Sequence, residues 1–150
     1  MPQSLNNVLL HLVFSTKGRV ACLDASVRPA LHAYLATVIR NADCGCPCAG
    51  GMADHVHLAI RFSRTSSIAE LVEEVKTASS KWLKAQVPGL SGFAWQRGYG
   101  VFSVSPSDLN ALLDYIRDQA EHHRTRTFQE EYRRFLVKYG VAFDERYVWD

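Results

Sequence analysis

The sequence predicts one α+β domain in which helices pack on an antiparallel sheet. Two apolar runs, residues 8–14 and 55–62, are rich in aliphatic side chains and have the length of strands. Other segments repeat apolar residues every three or four positions, which is the spacing of an amphipathic helix. With 150 residues, of which 47% are hydrophobic, the chain is long enough to bury a sizeable core.

The first third of the chain predicts a strand, a helix and a second, weaker strand. Residues 8–14 form a buried strand that stops at the polar sequence STKG. Residues 44–52 are a weaker strand candidate, because Pro47 and nearby glycines favour a sheet edge or an irregular segment. Asp24 or Ser26 is available to cap the helix between them, and its apolar stripe consists of Val27, Ala30, Leu31, Tyr34, Leu35, Val38 and Ile39.

The middle of the chain predicts a confident strand followed by a long helix. Residues 55–62 alternate in polarity, as a strand does when its two faces differ. Ser67 and Glu70 have the spacing of a capping box, which marks the start of the second helix. The sequence Pro88-Gly89 ends this helix.

The last third predicts one more strand and two more helices. Residues 99–104 form the strand. Ser105 provides an N-cap and the proline after it suits the first helical position, so a third helix extends to about Glu121. Thr127 caps a fourth helix that stops at Gly140.

The order of these elements is strand, helix, strand, strand, helix, strand, and then two helices. The first six match the split βαβ arrangement of ferredoxin-like folds, an antiparallel sheet with helices on one face. We therefore expect residues 1–150 to form a single ferredoxin-like domain with additional C-terminal helices. In this arrangement the other face of the sheet is free to receive a partner or substrate.

The chain shows no targeting or membrane signal. Its first residues lack a basic segment and a small-residue cleavage site, and the longest apolar run is far shorter than the roughly 18 residues of a membrane span. These features predict a cytoplasmic protein that makes no contact with a membrane, in which four cysteines are thiols rather than disulfides. Cys44, Cys46 and Cys48 would share one face of a strand, as a structural thiol cluster or, alternatively, a zinc site.

Two pairs of residues carry the chemistry. His55 and His57 lie two positions apart in a strand, so both imidazoles point to the same face. Tyr115 and Gln119 lie one helical turn apart and share a side of the third helix. Together they would provide three neutral metal ligands beside one oxygen nucleophile. Each pair alone also has a structural interpretation, as polar-face histidines of a half-exposed strand and as an ordinary helix pair.

Several other residues are candidates for supporting roles. Asp54 precedes the His55 strand and is able to orient an imidazole, or simply to end the preceding turn, while His11 is expected to be an ordinary, partly buried histidine. A distributed basic surface could contact DNA phosphates or remain a solvated face. Its candidate members are Lys17, Arg19, Arg97, His122, His123, Arg124 and Arg126. The cations near residue 122 could alternatively stabilise the end of the tyrosine helix.

In combination these residues resemble the single-tyrosine HUH transposases, small bacterial insertion-sequence enzymes that cut and rejoin single-stranded DNA. The resemblance spans nearly the whole chain in the right order. Its matching stretches are HLVFSTKGR at 11–19, MADHVHLAI at 52–60, WQRGYGVFSVSPSDL at 95–109, YIRDQ at 115–119 and the tail through YVWD. The family fold is a ferredoxin-like sheet, which agrees with the order of elements.

The resemblance implies a function and a role for each site residue. His55 and His57 would be metal ligands with Gln119 as the third, and Tyr115 would attack DNA and become joined to the 5′ phosphate. The implied cofactor is Mg²⁺ or Mn²⁺ without an organic cofactor, and the implied partners are single-stranded DNA with hairpin ends and a second subunit in a homodimer. Whether the tyrosine serves its own subunit or the other stays open. The alternatives are a host-adopted relative acting on genomic repeats and a non-catalytic ferredoxin-like module that binds a metal or small molecule.

Overall fold

The fold, given by a computed structural model that describes residues 2–150, is built on a four-stranded antiparallel sheet with the strand order β2-β3-β1-β4. This order confirms the predicted α+β, ferredoxin-like arrangement. The strands are β1 (Val8–Ser15), β2 (Gly45–Gly51), β3 (His55–Phe62) and β4 (Gly100–Val104). The helices are α1 (Arg28–Asn41), α2 (Ile68–Gln86), α3 (Leu109–Arg117), α4 (Gln119–His122) and α5 (Phe128–Lys138).

Both faces of the sheet are covered, each by its own apolar cluster. On one face the even-numbered residues of β1 and β3, such as Leu12 and Leu58, pack with the apolar sides of α1 and α2. On the other face Val13 and Phe102 pack against the α5 side chains Phe128, Tyr132 and Leu136. The expectation that this second face is free was therefore wrong, because the chain beyond β4 folds back and places its own apolar stripe there.

Three of the helix starts test the capping predictions. Ser67 and Thr127 each accept a hydrogen bond from the backbone N–H three residues later, at 3.1 and 3.2 Å, which confirms both caps. The prediction for α1 was wrong, since neither Asp24 nor Ser26 provides a side-chain cap. Instead the backbone carbonyl of Asp24 accepts the N–H groups of Val27 and Arg28, and this turn provides the start of the helix.

The third predicted helix is interrupted at Asp118. A 3-10 turn precedes α3, and Ser105 does not cap it with its side chain, so the predicted N-cap was wrong. The helix α3 ends at Arg117 rather than near Glu121. At Asp118 the backbone has φ −93° and ψ 23°, which tightens the chain before the short α4. This break changes which side chains face the sheet, so Gln119 is buried whereas Ala120 is exposed.

The strand β2 lies at the edge of the sheet and pairs irregularly with β3, which confirms the prediction for this segment. The irregular pairing places its cysteines on different faces. Its register with β3 shifts between Gly45 and Cys48, so the cysteines do not share a face. Cys44 and Cys46 pack towards the α1 and α2 core, whereas Cys48 is paired with Ala59. All the cysteines are free thiols, and within residues 2–150 none belongs to a group able to hold a metal.

None of the helices in residues 2–150 has both the length and the apolar character of a membrane-spanning segment.

We predict that Gly50→Ala loosens the helix that carries the tyrosine. A Cβ at Gly50 would lie 2.7 Å from Ile116 Cγ2 and 2.8 Å from its carbonyl oxygen, so α3 would have to move away from β2. The expected loss of unfolding free energy, measured by chemical denaturation, is about 1–3 kcal/mol. Gly92→Ala is the control, because its Cβ would meet nothing within 4 Å. Equal stability of the two variants would show that α3 does not pack closely on β2.

Candidate active site

The site begins with three histidines on one face of the sheet. His55 and His57 of β3 point to the same side, and His11 of the neighbouring strand β1 joins them. All three side chains are fully buried, which excludes the interpretation of His55 and His57 as polar residues of a half-exposed strand. His11 was expected to be an ordinary histidine, but its Nε2 lies 2.8 Å from Nδ1 of His57, so it fixes the orientation of that imidazole.

The break between α3 and α4 delivers the second predicted pair to these histidines. Gln119 places its Oε1 3.0 Å from Nε2 of His55, while its amide nitrogen donates to the Tyr115 carbonyl at 3.2 Å. The Tyr115 ring lies edge-on to His57, with 5.7 Å between ring centroids. The four residues singled out in the sequence therefore meet within one chain.

The structure adds an acid that the sequence interpretation missed. Glu131 of α5 is buried, and its Oε1 lies 2.9 Å from Nε2 of His57 and 3.5 Å from Nε2 of His55. Its other oxygen, Oε2, accepts a hydrogen bond from the Tyr115 hydroxyl. A signal for it exists in the sequence, because position 131 falls on the stripe that the buried residues Phe128, Tyr132 and Leu136 define.

His123 also belongs to this cluster, although the sequence indicated only a phosphate contact or a stabilising group at the end of the tyrosine helix. Its Nε2 is buried and lies 3.2 Å from Oε1 of Glu131, without the geometry of a hydrogen bond. One nitrogen or oxygen atom from each of His55, His57, His123 and Glu131 lies within 4.8 Å of the other three. These four side chains are thus close enough to converge on a single ion.

The hydrogen bonds around His55 match the needs of a metal ligand. Asp54 Oδ1 lies 2.7 Å from Nδ1 of His55, so that nitrogen donates its proton to the carboxylate. In the neutral imidazole the other nitrogen, Nε2, then carries a lone pair, and it faces the acceptor oxygens of Gln119 and Glu131. A divalent metal among these nitrogen and oxygen atoms would be bound by all of them.

The charges of the site follow from its burial. Burial lowers the pKa of His57 to about 4 despite its contact with Glu131, so this imidazole is neutral at pH 7. Burial would raise the pKa of Glu131, but the adjacent imidazoles of His123 and His57 lower it far below its usual range. Burial and the Glu131 charge raise the pKa of Tyr115. The site therefore holds a carboxylate, the neutral imidazole of His57 and a protonated phenol.

The seven candidate DNA contacts do not form one surface. His122 stacks on the Tyr115 ring with 4.4 Å between centroids, next to the cluster residue His123. Arg124 and Arg126 line a groove of about 490 Å³ that runs beside Asp54 and His123. The other three lie apart from this groove: Lys17 and Arg97 are exposed, and Arg19 lies over the Trp149 ring.

The comparisons with known proteins agree with this geometry. The family model described as "Transposase IS200 like" matches residues 4–119, and the chain therefore belongs to the IS200-like transposase family. No protein with a curated description matches the sequence. The matched range contains His55, His57, Tyr115 and Gln119 but ends before His123 and Glu131.

Two solved structures share the fold. One, from Deinococcus radiodurans R1 and assigned as a transposase, has a TM-score of 0.63 and 24% identity, covering 79% of this chain and 98% of its own. The other is a REP-associated tyrosine transposase bound to a REP hairpin, with a TM-score of 0.61 and 15% identity, covering 96% of this chain and 90% of its own. At these identities the likeness supports the fold alone.

We predict that Asp54→Asn weakens binding of a divalent metal, because the imidazole of His55 loses the carboxylate that fixes its proton on Nδ1. The expected loss of Mn²⁺ affinity, measured by titration calorimetry, is about 10–100-fold. Asp43→Asn is the control, since Asp43 is exposed and lies outside the site. An unchanged affinity in Asp54→Asn would mean that His55 is not a ligand.

Proposed function

We propose that this protein is a metal-dependent transposase that cuts and rejoins single-stranded, hairpin-bearing DNA through a covalent bond to Tyr115. The observation that carries the proposal is the meeting of Tyr115 and Gln119 with His55 and His57 in one buried site. Membership in the IS200-like transposase family supports the same reaction class. The non-catalytic alternative gives no reason for a phenol whose hydroxyl is directed at the carboxylate of this cluster.

Each side chain has a defined task in the proposed reaction. The Tyr115 oxygen attacks the phosphorus, its proton passes to Glu131 Oε2, and the bond from phosphorus to the 3′ oxygen breaks. The released 3′ oxygen takes up a proton, and the 5′ phosphate stays on the tyrosine. Because this phosphotyrosine conserves the energy of the broken bond, a 3′ hydroxyl can rejoin the strand without ATP.

A divalent metal held by His55, His57 and Gln119 would polarise the phosphate oxygens, which lowers the barrier for a weakly nucleophilic phenol. Asp54 holds the His55 imidazole in place through Nδ1 of His55, and His11 does the same for His57 through Nδ1 of His57. The imidazole and amide ligands are compatible with either Mg²⁺ or Mn²⁺.

The groove beside the site is the proposed path of the DNA strand. Arg124 and Arg126 line it together with Asp54 and His123. Cations in such a groove would neutralise backbone phosphates without reading sequence. One structural neighbour is itself bound to a REP hairpin, which supports a hairpin as the substrate. A host-adopted role on genomic repeats would use the same chemistry and differ only in the flanking DNA.

The arrangement of the tyrosine favours action within its own subunit. Its hydroxyl reaches Glu131 of the same chain, and its ring lies against His57 of the same chain. The homodimer stays a prediction that light scattering tests. We therefore propose that, if a dimer forms, each subunit contains a complete site.

We predict that Tyr115→Phe abolishes the covalent adduct with a labelled hairpin-bearing strand on a denaturing gel. The variant lacks one oxygen and little volume, so hairpin binding in a gel-shift assay is expected to stay within about twofold of the wild type. Tyr139→Phe is the matched control, since Tyr139 lies outside the site and packs on Phe102. An adduct of wild-type yield in Tyr115→Phe would remove this residue from the mechanism.

We predict that mixing Tyr115→Phe with His57→Ala subunits restores no cleavage, because neither chain has both the nucleophile and the intact ligand set. Circular dichroism of each variant checks that the subunits are folded before mixing. Restored cleavage would show that tyrosines serve the partner's site and would contradict the proposed action within one chain.

A further inference from the structure

We propose that Glu131 and His123, which lie beyond the residues matched by the family model, are additional ligands of the metal and make the site selective for a transition-metal ion. The proposal deepens the proposed function, since it concerns the same metal. Its test measures metal binding without DNA, so the result does not depend on whether strand cleavage occurs.

The position of Glu131 is the first observation that supports a ligand role. Its Oε1 is the atom shared by the cluster, at 2.9 Å from His57, 3.2 Å from His123 and 3.5 Å from His55. The longer two distances are too loose or too poorly directed to be strong hydrogen bonds. An oxygen surrounded by three imidazole nitrogens in this way is placed to share an ion with them.

The second observation is the unpartnered nitrogen of His123. Its Nε2 is buried and makes no hydrogen bond, although it lies next to Glu131. A buried polar atom without a partner costs free energy, so such atoms are rare unless an ion or water completes them. The nitrogen belongs to the set of four ligand atoms within 4.8 Å of one another, so a metal would satisfy it.

The chemistry of the complete ligand set decides which metal it suits. With His55, His57 and His123, three imidazoles meet one carboxylate, and the amide oxygen of Gln119 lies beside them. Mg²⁺ prefers oxygen ligands and usually keeps several waters, whereas the affinity of nitrogen-rich sites rises along the transition metals from Mn²⁺ onwards. The ligands contributed by the end of the chain would therefore shift the preference from Mg²⁺ towards transition-metal ions, of which Mn²⁺ is the weakest-binding.

Glu131 would also connect the metal to the nucleophile. While Oε1 faces the histidines, Oε2 accepts the hydrogen bond of the Tyr115 hydroxyl. A carboxylate that binds the ion through one oxygen holds the phenol through the other. The distance between nucleophile and metal would thus depend on the position of α5.

The test compares metal affinities of the full-length protein by Mn²⁺ electron paramagnetic resonance and by calorimetry. Glu131→Gln keeps the shape of the side chain but removes its charge, and His123→Ala removes the second ligand. Each is expected to weaken Mn²⁺ binding by more than the roughly 10–100-fold loss that an outer-sphere substitution causes. Glu130→Gln, which changes a neighbour outside the cluster, is expected to keep the wild-type affinity. In the wild type, Mn²⁺ is expected to bind more tightly than Mg²⁺.

The opposite outcomes are equally clear. If Glu131→Gln binds Mn²⁺ as tightly as the wild type or more tightly, Glu131 is not a ligand but a carboxylate that competes with the metal for the histidines. Equal or tighter binding of Mg²⁺ in the wild type would overturn the selectivity. Circular dichroism melting of each variant without metal shows whether a change in affinity results from misfolding. Tyr115→Phe is expected to keep its Mn²⁺ affinity, so the metal test is independent of DNA cleavage.

Discussion

The buried carboxylate of Glu131 is the interaction on which the C-terminal third of the protein depends. A buried carboxylate is stable in a protein interior only when hydrogen-bond or ion-pair partners surround it. Removal of one partner from a buried ion pair lowers the free energy of unfolding by about 3–5 kcal/mol. Here the partners come from three separate segments: His57 of β3, His123 after α4 and Tyr115 of α3. Glu131 therefore holds α5, the tyrosine helix and the sheet in one arrangement, and the apolar contacts of Phe128 and Leu136 complete the packing.

The same packing governs how the site could act on DNA. His55 and His57 are fully buried, and Tyr115 is half-buried beneath His122. A scissile phosphate would reach them from the groove beside Asp54, where the segment from His123 to Thr127 forms one wall. In the proposed reaction the strand enters along this groove, while the sheet keeps the histidines fixed.

Local patterns predicted the elements of this fold well, whereas contacts between distant segments were harder to predict. The β3 pattern and the capping residues Ser67 and Thr127 depend on neighbours in sequence, so they were visible there. The break at Asp118 depends on how α3 meets the sheet, and the role of His11 depends on the pairing of β1 with β3. Glu131 was overlooked because it lies among charged residues, although its place on the α5 stripe marks it as buried.

The shared metal site is tested most directly by anomalous diffraction at the manganese edge from crystals of the protein soaked in Mn²⁺. We expect one strong peak among Nε2 of His55, Nε2 of His57 and the Glu131 carboxylate, within bonding distance of each and next to the Tyr115 hydroxyl. A peak at a different place, or no peak at saturating Mn²⁺ with the histidines still facing Glu131, would contradict the shared metal site.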